Sequence, residues 1–160
     1  MFANWFSVLV LFVILFSWKG ENVATTEVAN ILASVPGVGD VAVYGVTLPG
    51  CEGRAGMAAV VGKYENSKFA ATGGVDLAAL HQQCKVDLPV YAHPLFLRFK
   101  QRGVALEITS TFKHLKAGLV KDGFDPVFVG GDPLFYLTKT GYERVTPQIF
   151  NQIRANKIKF

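Results

Sequence analysis

EITSTFKHLK, residues Glu107–Lys116, joins two runs of different period. Ahead of it Val104, Leu106 and Ile108 alternate as in a strand, and behind it Phe112, Leu115 and Leu119 recur at helical spacing. Between the two runs lie Thr109, Ser110 and Thr111, any of which can accept a bond from a free N–H at the helix start. Lys113 then projects from the first turn, where the positive end of the helix dipole disfavours a cation. A basic group beside free N–H donors suits a phosphate or carboxylate. The alternative for this stretch alone is a solvated surface lysine.

Upstream, KGENVATTEVANILASVPGV opens with a glycine turn and continues into a helix start, with Thr25 as N-cap and Glu27 in the first turn. Val28, Ile31, Leu32 and Val35 share a face, and Pro36-Gly37 ends the run. Asp40 to Thr47 and Gly56 to Tyr64 read as strands joined by the turn-rich LPGCEGRAG. Asp76 caps a second helix whose Leu77, Leu80, Cys84 and Leu88 form a stripe, with His81 beside it as an ordinary, partly buried histidine. Pro89 and Pro94 turn the chain into a strand from Leu95 to Lys100, and His93 in that turn has no partner at ligand spacing. Beyond Gly123 breakers recur every few residues, which reads as an irregular wrapping tail with one short helix from Pro147. The fold expected is α+β: a small, largely antiparallel sheet with packed helices and an irregular C-terminal tail.

The 160 residues are enough for one domain with a real core, and net charge is +4. No Lys/Arg block interleaved with aromatics marks a nucleic-acid surface, and Arg154 to Lys159 reads as a solvated end. Cys51 and Cys84 are too few and too far apart for a metal site or a disulfide framework, which points to a reduced, cytosol-facing domain. No phosphate loop, GxSxG elbow or HExxH occurs. MFANWFSVLVLFVILFSW, Met1–Trp18, carries no charged side chain. It is short for a membrane span and lacks the basic region and cleavage site of a secretory signal. It therefore stands as a short anchor, a poor signal, or residues foreign to the native protein.

Read together, WKGENVATTEV, DVAVYGVTLPGCEGRAGMAAV, LPVYAHPLFLR, EITSTFKHLKAGLVKDGFDP and DPLFYL resemble the C-terminal domain of fatty acid transport proteins, also called very-long-chain acyl-CoA synthetases. These belong to the adenylate-forming superfamily, and the resemblance runs from about Trp18 to the C-terminus. It implies three parts: an apolar segment 1–17, a lid domain 18–122 and a family-specific tail 123–160. It also implies that the chain is the lid of an ATP-dependent long-chain fatty acid–CoA ligase, inactive by itself because the nucleotide and acyl pockets belong to an N-terminal adenylation domain. ATP, with magnesium, and CoA would be co-substrates of the complete enzyme, and long-chain fatty acid its substrate. The implied location is the endoplasmic reticulum or plasma membrane, with this domain facing the cytosol.

Residue by residue, the Thr-x-x-x-Lys pattern falls on Thr109 and Lys113, so the resemblance makes Lys113 the adenylation lysine. Ser110 departs from the glycine usual there, and Ser17 from the arginine usual before the tryptophan. Lys19, Gly20, Glu21 and Asn22 resemble the lid loop that serves the thioester step, with Gly20 allowing backbone to approach the pantetheine arm. Glu27 is assigned a structural role, no metal ligands are assigned, and Lys116 is expected to be solvated. Two rival classes remain: a membrane-anchored, non-catalytic binding module reusing the lid fold, and a plain structural domain.

Overall fold

The computed structural model describes residues 15–64, 68–100 and 112–160, without the side chains of 112–115. Residues 1–14, the strand-like run 104–108 and the hydroxyls of Thr109, Ser110 and Thr111 lie outside the described residues. Among the described residues no helix is long and apolar enough to cross a membrane.

The first elements are a hairpin, β1 (Leu15–Trp18) and β2 (Glu21–Ala24), paired so that Trp18 faces Glu21. Its two-residue turn, Lys19-Gly20, has φ of 49° and 84°. Two positive φ values give the tight turn whose twist matches flanking strands, and glycine meets the second without strain. Phe16, Trp18 and Val23 are buried. A division between residues 17 and 18 therefore falls within β1: the last residues before Trp18 are strand, and Phe16 is core.

Strand β3 (Val38–Val46) pairs antiparallel with β4 (Ala55–Gly62), and Gly45 faces Gly56 across the ladder. The pair is glycine because Phe16 lies over it. A Cβ on Gly45 would come within 2.8 Å of the Phe16 Cβ, and one on Gly56 within 2.7 Å of its Cζ. Any side chain there would lift the hairpin off the sheet.

Helix α1 (Thr25–Ala33) precedes β3, and α2 (Leu77–Asp87) carries the chain from β4 to β5 (Phe96–Lys100), which runs parallel to β4. Asp76 caps α2 as read, its Oδ1 accepting from the Ala78 N–H at 2.9 Å, and Leu80 and Cys84 are buried. Burial pushes the Cys84 thiol up to about 12, so this group stays protonated in the core. At α1 the expectation fails. Ala24 is the N-cap, without a side-chain bond, and Thr25 is the first helical residue, buried at 2% exposure.

After α3 (Phe112–Asp122) the chain adds β6 (Leu134–Leu137) antiparallel to β5, then β7 (Tyr142–Arg144), then α4 (Pro147–Arg154). The sheet order is β3-β4-β5-β6-β7, and every neighbouring pair but β4–β5 is antiparallel. The fold is α+β with a largely antiparallel sheet, but the tail is not irregular, since it supplies two of the five strands. Side-chain alternation across the register puts Tyr44, Met57, Phe96 and Arg98 on one face. Phe96 stacks on Phe124 of the tail at 4.3 Å between ring centroids, with Phe160 edge-on at 5.5 Å. On the other face α2 lies beside Tyr142, its His81 ring edge-on at 5.9 Å, and α1 packs against α2. His93 is buried with Nε2 3.1 Å from the Leu88 carbonyl, in keeping with a structural histidine.

Candidate functional site

Helix α3 is described from Phe112, so Lys113 lies on its described N-terminal part. Its side chain lies outside the described residues. One turn on, Lys116 is described, and it is not solvated: it is 5% exposed, and its Nζ donates to Thr25 Oγ1 at 3.3 Å. This corrects two sequence readings together. The hydroxyl of Thr25 serves a distant lysine rather than capping its own helix, and Lys116 faces α1 rather than water. Burial lowers the Lys116 amine to about 8, because removing an ammonium from water disfavours its charged form.

The contact lies beside a cleft of about 210 Å³ on the outer side of β3, the outermost strand of the sheet among the described residues. Lys116, Thr25, Thr26 and Asn30 line it together with β3 residues 39–43. The other end of α3 is held from the sheet. Arg98, 4% exposed, donates through Nη1 to Asp122 at 2.8 Å, through Nε to Asp132 at 2.7 Å and through Nη2 to the Val129 carbonyl at 3.4 Å. Lys100 adds a 3.3 Å contact to Asp132. Burial opposes the charge on Arg98, but the two carboxylates outweigh it and hold its pKa above the ordinary value. The Tyr44 hydroxyl is buried near this group without a bonding partner among the described residues, and burial raises its pKa. Helix α3 is thus tied to the domain at two points, Lys116 and Asp122.

The Lys19-Gly20-Glu21-Asn22 segment is the β1–β2 turn and the start of β2. Glu21 and Asn22 are exposed, and a Cβ on Gly20 would meet nothing within 4 Å. Gly20 is accounted for by its φ rather than by a close neighbour. Lys19 Nζ donates to the main-chain oxygen of Phe160 and lies 5.3 Å from the Trp18 ring centroid. This hairpin runs directly into α1, whose first residue touches Lys116, so the Thr25–Lys116 contact connects the two segments singled out in the sequence. Among the described residues no three His, Cys, Asp or Glu side chains gather as metal ligands. Sequence reasoning missed Lys116 and Arg98. For Lys116 a signal existed: positions 112, 115, 116 and 119 share one helical face, and Leu119 on it is buried.

Residues 27–113 match the family model described as AMP-binding enzyme C-terminal domain, a match that ends on Lys113. The long-chain fatty acid transport protein 6 of Mus musculus is 43% identical over 146 residues, covering 90% of this chain and 22% of that protein. The long-chain fatty acid transport protein 2 of Rattus norvegicus is likewise 43% identical, over 90% of this chain and 22% of its own length. The chain therefore spans about a fifth of the length of these curated relatives. Among solved structures, the Mycobacterium tuberculosis fatty acyl CoA synthetase superposes with a TM-score of 0.46 at 26% identity, over 54% of this chain and 16% of that one.

Proposed function

The chain belongs to the AMP-binding enzyme C-terminal domain family, and from that premise we propose that it is the lid portion of a long-chain fatty acid–CoA ligase of the fatty acid transport protein group. The complete enzyme would first join a fatty acid to ATP, giving acyl-adenylate and pyrophosphate. The thiol of CoA would then displace AMP to give the thioester. The observation that carries this reading is similarity over 90% of the chain, from the hairpin through the tail, to proteins of that group.

In the first step a carboxylate approaches a triphosphate, and the two anions repel. Lys113 is assigned the compensating charge, supported by the family match, which includes it. The Lys19–Asn22 turn is assigned to the second step, on a different face of the lid. A lid contributes a charge and a surface; bringing the reactants together requires the pockets of an adenylation domain. By itself the chain is therefore expected to give only background thioester from ATP, CoA and a long-chain fatty acid. A magnesium ion would travel with ATP; the described residues offer it no ligand cluster, and no step here passes through it. We place the complete protein at the endoplasmic reticulum or plasma membrane, with this domain on the cytosolic side.

The test is a graft of residues 15–160, which keeps β1 whole, onto the adenylation domain of a relative. The graft is expected to release pyrophosphate and form acyl-CoA. Lys113→Ala should slow pyrophosphate release about a hundred- to a thousandfold, the usual cost of removing one preorganised donor. Thioester formation from synthetic acyl-adenylate should stay near normal. Unchanged pyrophosphate release, or equal loss of both steps, would overturn the role given to Lys113.

A further inference from the structure

The last residues of the tail reach back to the hairpin at the start of the described domain. Helix α4 ends in a Schellman turn, in which Asn156 takes a φ of 56°. Its N–H donates to the Ile153 carbonyl at 3.0 Å, and the Lys157 N–H donates to the Gln152 carbonyl at 2.9 Å. Asparagine is among the few residues besides glycine that enter this left-handed region readily. The reversal sends residues 157–160 back toward the sheet face that carries Phe96. There the Phe160 ring lies edge-on to Phe96 at 5.5 Å and to Tyr136 at 6.5 Å, and Ile158 packs against the same core.

This segment is fastened to the β1–β2 hairpin at two points. Directly, the Phe160 main-chain oxygen accepts from Lys19 Nζ at the hairpin turn. Indirectly, the Asn156 side chain lies against Gly50, where a Cβ would come within 2.6 Å of its Nδ2. The loop bearing Gly50 in turn holds β1: the Arg54 N–H donates to the Ser17 carbonyl at 2.6 Å, and Gly53 bridges Trp18. Outside support matters here, because a two-stranded hairpin of four-residue strands is marginal by itself in water. A lysine stem is flexible, so its bond fixes the turn only if the acceptor has a set place. The Phe160 ring, packed on Phe96, gives the acceptor that place.

Resting on the assignment of the Lys19–Asn22 turn to the second step, we propose that residues 156–160 are a positioning clasp for that turn, anchored by Phe160. The tail then governs the thioester step without touching its reactants. No residue of the clasp is assigned to adenylation, so the two steps should respond differently to its loss.

The experiment compares the graft of residues 15–160 with its Phe160→Ala variant. Thioester formation from synthetic acyl-adenylate should lose about tenfold in kcat/KM for CoA, short of the roughly hundredfold that a 1 Å misplacement can cost, because the fastening at Gly50 survives. Pyrophosphate release should stay near normal. Phe160→Leu, which refills the site with an apolar side chain, should recover most of the loss. Lys159→Ala, exposed beside it, should change neither step. In the 160-residue chain, Phe160→Ala should speed amide exchange at residues 18–22 while β4 keeps its protection, which separates release of the hairpin from unfolding of the domain. Equal slowing of both steps, an unchanged thioester step, or hairpin exchange no faster than in the native chain overturns the clasp. A native graft that makes no acyl-CoA sinks the assignment of the turn and the clasp with it; a competent native graft with an unaffected variant sinks the clasp alone.

Discussion

Two cations are buried in this domain to nearly the same depth, Lys116 at 5% exposure and Arg98 at 4%, yet their pKa values move in opposite directions. Arg98, in the sheet, has two carboxylates within 2.8 Å, and these keep it charged. Lys116, beside the β3 edge, meets a neutral hydroxyl, and its amine falls to about 8. Depth alone does not decide protonation: the two carboxylates at Arg98 outweigh its burial. Helix α3 is therefore held at its C-terminal end by an ion pair, and one described turn from Phe112 carries a buried amine whose pKa burial lowers to about 8.

The largest effect that bears on this contrast is expected at Arg98. Arg98→Met keeps much of the stem but strands two carboxylates, and breaking a buried pair from one side costs about 3–5 kcal/mol. The lower end applies, because the Asp122 side chain is 33% exposed and can rehydrate. Urea unfolding should show a drop of roughly 3 kcal/mol; a loss below about 1 kcal/mol would place Arg98 with ordinary surface pairs.

Next in size is the pH dependence at Lys116. Its folded pKa, about 8, lies below the 10.5 of the unfolded chain, so the unfolded state binds more protons between those values. Stability from this group therefore rises with pH from about 8 to 10.5 and is flat below and above that window. The shift sets an upper bound of about 3 kcal/mol at 1.36 kcal/mol per pKa unit. Comparing the native chain with Lys116→Met across this window isolates the group. The native protein should gain on the variant as pH rises, and a constant difference would show that the amine is not desolvated.

The smallest effect is expected from Thr25→Val, which removes the hydroxyl and keeps the shape. About 1 kcal/mol should be lost near neutral pH, the net worth of one buried hydrogen bond. The loss should shrink at high pH, where the neutral amine depends less on an acceptor. An equal loss at both pH values would show that Thr25 acts by packing alone.

What was legible in the sequence depended on how local the cause was. The α2 start was readable because Asp76 bonds two residues ahead, and its buried side because Leu80 and Cys84 are one turn apart. Thr25 was misread because a hydroxyl at a helix start has the same local signature whether it caps the helix or serves a residue 91 positions away. Lys116 was read as solvated although its spacing from Leu119 put it on the buried face; residue type was allowed to outweigh period. The tail strands were missed because four and three residues show too little alternation to stand out between Pro133, Gly141 and Pro147. The same brevity hid the role of Phe16, which reads as one more apolar residue in a run and is in fact the lid over a glycine pair. Lys113 was singled out by an expected helix start that lies outside the described residues, and the resemblance gave it a role; nothing in composition would have done so.

The pairing of β6 onto β5 also has a consequence for synthesis. During translation Phe96–Lys100 emerges well before Leu134–Leu137, so its outer ladder has no partner while the intervening residues are made. At about 5–20 residues per second that interval lasts seconds. In that time the nascent chain carries an open, largely apolar strand edge, a template for pairing with other chains. Residues 134–137, once they emerge, would thus cover that edge and shield the growing chain from aggregation.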